Sequence, residues 1–208
     1  MNKNISWTYN EEFEKHGFFI IKNLCDPSLL YSEVLSEDFK GKILQYCKKS
    51  GELISILDEP EPKITDSSSR YNFPLYRQIN FRIKPIIEGF IGRKLYTTYC
   101  YERFYYANQE LKIHKDKEQC EISCSLHISS NFKKYWNFKL INLCGEEKSV
   151  QLNPGDAIVY KGMQISHWRD KLPSRHNERD FTRNDDTYYH QGFFHYVLQD
   201  GNYVQFAN

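Results

Sequence analysis

Two hydrophobic periods divide the chain. Up to about residue 94 the apolar positions recur at helical spacing; from Leu95 onward they alternate with polar ones as strands do. Tyr9–Lys15 predicts a short helix, stopped by His16-Gly17 before a strand over Phe18–Lys22. Cys25-Asp26-Pro27 predicts a turn, with Asp26 able to cap a short helix through Leu30. Ser36–Lys49 predicts a longer helix: Ser36 caps it, Glu37 and Asp38 suit its positive end, and Phe39, Ile43, Leu44 and Cys47 share a face. Gly51–Asn72, with Pro60, Pro62 and a serine run, predicts a long irregular segment. Tyr76–Ile91 predicts a second helix, apolar along Ile79, Ile83, Ile86, Ile87 and Phe90, kinked at Pro85 and ended by Gly92.

The second half reads as short strands between turns. Tyr96–Tyr106 is rich in Thr and Tyr, and Ala107-Asn108-Gln109 turns it, Asn108 tolerating a left-handed backbone. Ile122, Cys124, Leu126 and Ile128 alternate with Ser123, Ser125, His127 and Ser129, the pattern of a half-buried strand whose polar face is able to line a barrel. Strands are expected at Trp136–Leu143, Ser149–Leu152, Ala157–Lys161 and Gln191–Leu198, with Asn153-Pro154-Gly155-Asp156 a tight turn. About eight strands after N-terminal helices predict a mainly β chain: a double-stranded β-helix (jelly roll) over residues 95–200, with the helices of residues 1–94 packed outside as decoration of one domain.

The candidate chemistry sits in RFYYANQELKIHKDKEQCEISCSLHISS. His114 and Asp116 are two apart, so an extended backbone turns both to one face at the entrance to the alternating strand. His167, after a turn and a short apolar strand, offers a second imidazole. Two imidazoles and one carboxylate leave coordination positions open on a metal, the ligand set of non-haem Fe(II) oxygenases. Two solvated side chains at a strand end are the plain alternative for the pair, and a stacking histidine beside Trp168 is the alternative for His167.

FEKHGFFIIKNL, FIGRKLYTTYCYERFYYANQELKIHKD, CEISCSLHIS, LNPGDAIVYKG, the His167-Trp168 pair and HQGFFHYV together resemble the Fe(II)/2-oxoglutarate-dependent dioxygenase superfamily, in its prolyl-hydroxylase-like branch. The resemblance runs from about Phe13 to Val197. It implies catalytic metal ligation by His114, Asp116 and His167, with Fe(II) and 2-oxoglutarate as cofactors and O₂ as co-substrate. A protein side chain, a prolyl one among them, or a small molecule would be hydroxylated, with succinate and CO₂ as co-products. Tyr105 matches the position of a tyrosine that hydrogen-bonds 2-oxoglutarate, and Tyr106 points to the other face. The family's cation at the start of the last strand is replaced here by Tyr189-His190-Gln191 after the polar insertion PSRHNERDFTRNDDTYY. Arg169, two residues past His167 on the same inward parity, is the first candidate for the cation that holds the distal carboxylate; Arg183 and a protonated His190 follow. A surface ion pair of Arg169 with Asp170 or with the acidic loop is the competing expectation. Arg103 shares the parity of Tyr105, and His127 and His195 are expected to be structural. The charged loop Lys171–Asp186 is either a lid over the substrate or a solvated insertion.

Composition narrows the partners. Lys and Arg (28) nearly balance Asp and Glu (27), so no basic stripe marks duplex binding, and nucleobase demethylation is disfavoured. Six cysteines without C-x-x-C spacing argue against a structural zinc site and for reduced, buried thiols. A polar N-terminus and short apolar runs predict neither a signal peptide nor a membrane span, hence a cytoplasmic protein. A cupin-like jelly roll that binds metal or sugar without redox chemistry is the alternative function.

Overall fold

A computed structural model describes residues 8–28, 68–175 and 187–207. The expected helix Ser36–Lys49, the continuation past Ser28 toward Leu30, and Arg183 lie outside those residues. Helix α1 (Thr8–His16) leads into β1 (Phe18–Ile21); β2 (Ser68–Tyr71) and α2 (Pro74–Ile91) follow. Then come β3 (Leu95–Tyr106), β4 (Leu111–His114), a 3₁₀ turn at Glu118–Cys120, β5 (Ile122–Ser130), β6 (Phe138–Ile141), β7 (Glu147–Val150), β8 (Ala157–Lys161), β9 (Ser166–Arg169) and β10 (Tyr188–Leu198).

The strands form two antiparallel sheets, ordered β1-β8-β5-β10-β3-β2 and β4-β9-β6-β7. This is the mainly β jelly roll that the alternation predicts. The major sheet has an outer face carrying Ile122, Cys124, Leu126, Ile128, Ala157, Val159, Phe194 and Tyr196. These pack with Phe13 of α1 and Ile79, Ile83, Ile87 and Ile91 of α2. Its inner face meets the minor sheet, where Ile158 and Tyr160 pack on Phe138, Leu140, Val150, Leu152 and Ile165. Helices outside and a sheet pair inside therefore divide the apolar residues of β8 by parity.

Several local expectations change. β5 is buried along its length up to Ser129, not half-buried. Its serines and His127 face the space between the sheets, so the 2-residue period separates two interiors rather than core from water. Part of the expected irregular segment pairs as β2 on the edge beside β3, with Tyr71 opposite Tyr101. α2 is continuous through Pro85, which stands on its exposed side, so the carbonyl that loses its donor is on the solvent face and not in the core. Ile86 accordingly turns outward, 41% exposed. Gly92 ends α2 with φ 68°, its N–H donating to Glu88 O, and Asn108 takes φ 68° in its turn, both as expected. β6 is shorter than predicted, β7 keeps its predicted length but lies two residues earlier, and β10 begins earlier, at Tyr188.

The helix-to-sheet contact gives a test. Ile87 has no exposed surface and sits among the α2 residues covering the sheet. Ile87→Ala should lower the unfolding free energy by about 2–5 kcal/mol, measured by urea denaturation. A loss below about 1 kcal/mol would mean that α2 contributes little to the core.

Candidate active site

The register of β4 against β9 builds the site. His114 pairs directly with His167, and Leu111 with Arg169, across an irregularity between the two pairs. The two imidazoles thus stand side by side, ring centroids 4.2 Å apart. Asp116 lies in the loop after β4 rather than in a strand, so His114 closes a strand instead of opening one. That loop is fixed by its backbone: Asp116 N–H donates to Gly162 O at 2.9 Å, and Gly162 N–H to Glu121 O at 3.1 Å. A Cβ on Gly162 would collide with Cys120 O, and would stand 2.7 Å from Ser123 Oγ and 2.8 Å from Asp116 Oδ2. Only glycine permits this approach.

Asp116 Oδ1 is 3.5 Å from His114 Nε2 and 3.6 Å from His167 Nε2. Both histidines are turned by their other nitrogen. His114 Nδ1 lies 2.8 Å from Lys112 O, and His167 Nδ1 lies 3.1 Å from Ile165 O. A carbonyl only accepts, so Nδ1 carries the proton and the Nε2 lone pair points at the common centre. Asp116 Oδ2 accepts from Ser123 Oγ at 2.8 Å, which leaves Oδ1 on the histidine side. Burial pushes the Asp116 carboxyl up, but His114, His167, His195 and Ser123 outweigh it and hold it well below the usual range. The three donor atoms fall within 4.8 Å of one another, a group able to hold a metal ion. The residues present therefore fit Fe(II): N, N, O donors, oriented by their outer contacts, on one side of a cleft.

The cleft has a volume of about 510 Å³. Beyond the triad it is walled by β2, β3 and β10, with Tyr71, Tyr101 and Phe193 forming one cross-strand row. Their rings stack in that order, at 4.8 and 4.4 Å between centroids. Tyr105 and Arg103 line the same cleft, as their shared parity predicts; Arg103 Nε donates to Ser69 Oγ at 2.7 Å.

Arg169 is buried, and Asp170 pairs instead with Lys139 at 2.6 Å. The guanidinium lies over Trp136 and Tyr189 and donates to Trp136 O, to Tyr189 Oη at 3.3 Å and to Gln191 Oε1 at 3.0 Å. Among the described residues no carboxylate pairs with it. Among the described residues its Nε and the neighbouring Gln191 Nε2 are buried donors without an acceptor. Two such N–H groups beside a guanidinium fit an incoming carboxylate. Arg169 does not line the cleft beside the triad; Tyr105 does, and Trp136 touches both residues.

His190 is elsewhere. It faces α2, stacked on Phe104 and 2.6 Å from Glu102, so it is no anchor for a cosubstrate in the cleft. His195, expected to be structural, lines the cleft, and its buried Nε2 has no partner among the described residues. His127 meets the structural expectation at Nδ1, 2.8 Å from Leu152 O; burial pushes its pKa down to about 4. Gly162, Tyr160, Gln191 and Cys120 escaped the sequence reading. Parity alone could have found Gln191, two residues from Tyr189 and Phe193 on the inward face of β10.

No family model matches the chain, and no curated protein matches it. Solved structures do. A 2OG-Fe(II) oxygenase family protein from Burkholderia pseudomallei superposes with a TM-score of 0.59 at 12% identity, covering 95% of this chain and 93% of that one. The fold is that of the 2OG-Fe(II) oxygenases. A prolyl-4-hydroxylase from Pseudomonas putida gives a TM-score of 0.56 at 11% identity, over 90% of this chain and 97% of that one. EctD from S. alaskensis, with 2-oxoglutarate and 5-hydroxyectoine, gives 0.62 at 12% identity, over 92% and 76%. Among the described residues no helix is long and apolar enough to cross a membrane.

Gly162 supplies a test of the loop argument. Gly162→Ala should weaken divalent-metal affinity at least tenfold, by calorimetric titration, with an unchanged far-ultraviolet spectrum. Unaltered affinity would show that the close approach does not position Asp116.

Proposed function

We propose that the protein is an Fe(II)- and 2-oxoglutarate-dependent dioxygenase that hydroxylates a protein side chain, prolyl among the candidates, or a small molecule, with succinate and CO₂ as co-products. The observation that carries this reading is the convergence of His114 Nε2, Asp116 Oδ1 and His167 Nε2 from one side of the cleft, each locked by its other atom. A three-donor set would leave positions open on a bound metal. Iron, when bound, would let O₂ act as the oxidant, with 2-oxoglutarate giving up two electrons as it goes to succinate and CO₂.

The chain's own residues orient and exclude. His114 and His167 present fixed lone pairs, and Ser123 keeps Asp116 from rotating. Arg169, with Gln191 and Tyr189 beside it, holds the distal carboxylate of 2-oxoglutarate, and Tyr105 contributes from the cleft wall between Arg169's neighbour Trp136 and the triad. The stacked Tyr71, Tyr101 and Phe193 shield the reacting position from bulk water. A cleft of about 510 Å³ is in the range that encloses one small molecule or one side chain. The solved relatives fit both substrate classes, a prolyl-4-hydroxylase and a structure holding 5-hydroxyectoine. Buried thiols such as Cys120 fit a reducing, cytoplasmic setting.

Release of CO₂ from carboxyl-labelled 2-oxoglutarate, with Fe(II) and O₂ and no added substrate, tests the reading. Slow turnover is expected, reduced at least 100-fold in His167→Ala. Arg169→Ala should raise the KM for 2-oxoglutarate at least tenfold, with partial recovery in Arg169→Lys. An unchanged KM would remove Arg169 as anchor. No CO₂ from a protein that binds iron stoichiometrically would favour the non-redox, cupin-like module.

A further inference from the structure

Asp116 belongs to a second group of donors. Its carboxylate, the Cys120 thiol and a ring nitrogen of His195 lie within 4.8 Å of one another. All three line the same cleft as the triad. Cys120 follows Asp116 through the 3₁₀ turn, in the run His114-x-Asp116-x₃-Cys120, and its N–H donates to Lys117 O at 2.9 Å. His195 comes from β10, in the sheet opposite β4 and β9. It is 3% exposed, its Nδ1 is 3.1 Å from Ser123 Oγ, and its Nε2 has no partner among the described residues. Tyr99 Oη stands 3.2 Å from Cys120 Sγ, placed to donate to a thiolate. A buried imidazole nitrogen without a partner costs stability unless something occupies it.

We propose that Asp116, Cys120 and His195 form a second cation position, selective for a thiophilic divalent ion such as Zn²⁺ and exclusive of the ion at His114, Asp116 and His167. Donors to one tetrahedral zinc stand about 3.6 Å apart, so small side-chain rotations close the observed set. Sulfur, nitrogen and oxygen together favour zinc or cobalt over iron, whereas the two-imidazole set lacks sulfur. Binding displaces one proton, from the Cys120 thiol to solvent. Exclusivity follows from charge. Asp116 is the one carboxylate lining the cleft among the described residues, and Arg103 and Lys117 line it too. Two dications there would set four positive charges against one carboxylate and one thiolate, beside Arg103 and Lys117, and repel each other. A zinc ion at the sulfur position therefore removes Asp116 from the iron ligands, and the cleft responds to the ratio of the two metals.

Anaerobic titration of the reduced full chain with Co²⁺ tests this without any turnover. The wild type should show a near-ultraviolet sulfur-to-cobalt charge-transfer band. His114→Ala/His167→Ala should keep the band, since the second position does not use those rings. Cys120→Ser should abolish it while still binding one cobalt at the triad. In the double histidine variant, His195→Gln should weaken Zn²⁺ affinity at least tenfold. Absence of the band from the wild type, or a band that survives Cys120→Ser and so arises from another thiol, would overturn the proposal. Loss of the band in the double histidine variant, with its melting temperature intact, would overturn it as well. None of these outcomes depends on whether 2-oxoglutarate is consumed.

Discussion

The pairing of β4 with β9 decides what the cleft is able to do. It sets His114 opposite His167, and both rings then depend on backbone carbonyls two residues earlier, Lys112 O and Ile165 O, for their orientation. A slip of one residue would turn either ring to the other side of its sheet and leave Asp116 with one imidazole. The third donor is held independently, by the hydrogen bonds that tie its loop to Gly162 and by Ser123 on its outer oxygen. Preorganisation of the donors is thus distributed over both sheets.

The same layout explains how polar groups come to fill a β-sandwich interior. Ser123, Ser125 and His127 on β5, Gln191 and His195 on β10, and Arg103 on β3 all face inward. In a structural core such a set would be costly. Among the described residues Arg169 Nε, Gln191 Nε2 and the buried Nε2 of His195 have no hydrogen-bond partner. Such atoms suit a ligand that enters from outside. Arg169 is the strongest instance, a buried guanidinium whose partners among the described residues are neutral.

Much of this was legible in the residues. Two-residue alternation gave the sheets, turn and cap chemistry the left-handed Asn108 and the helix end at Gly92, and the His-x-Asp pair with a later histidine the three side chains that converge. The sandwich hid the rest because it has two interiors. Alternation in β5 looks half-exposed, yet both faces are covered; its polar face, with Ser123, was expected to line a barrel, whereas His195 read as a structural histidine rather than as lining. Gly162 was invisible for another reason: its role is an approach between distant backbones, which leaves no local pattern. Cys120 read as an inert thiol, since its neighbours Tyr99 and His195 are remote in sequence. Arg169 was found by parity with His167, and its burial was not predictable from the adjacent Asp170, which pairs elsewhere.

The central claim is that His114, Asp116 and His167 together would hold an iron that 2-oxoglutarate chelates. The most direct measurement is anaerobic visible absorption of the protein with Fe(II) as 2-oxoglutarate is added. The account predicts a metal-to-ligand charge-transfer band that saturates at one 2-oxoglutarate per chain and is absent from both His114→Ala and Asp116→Ala. Stoichiometric iron binding with no such band, or a band that persists in both variants, would contradict it.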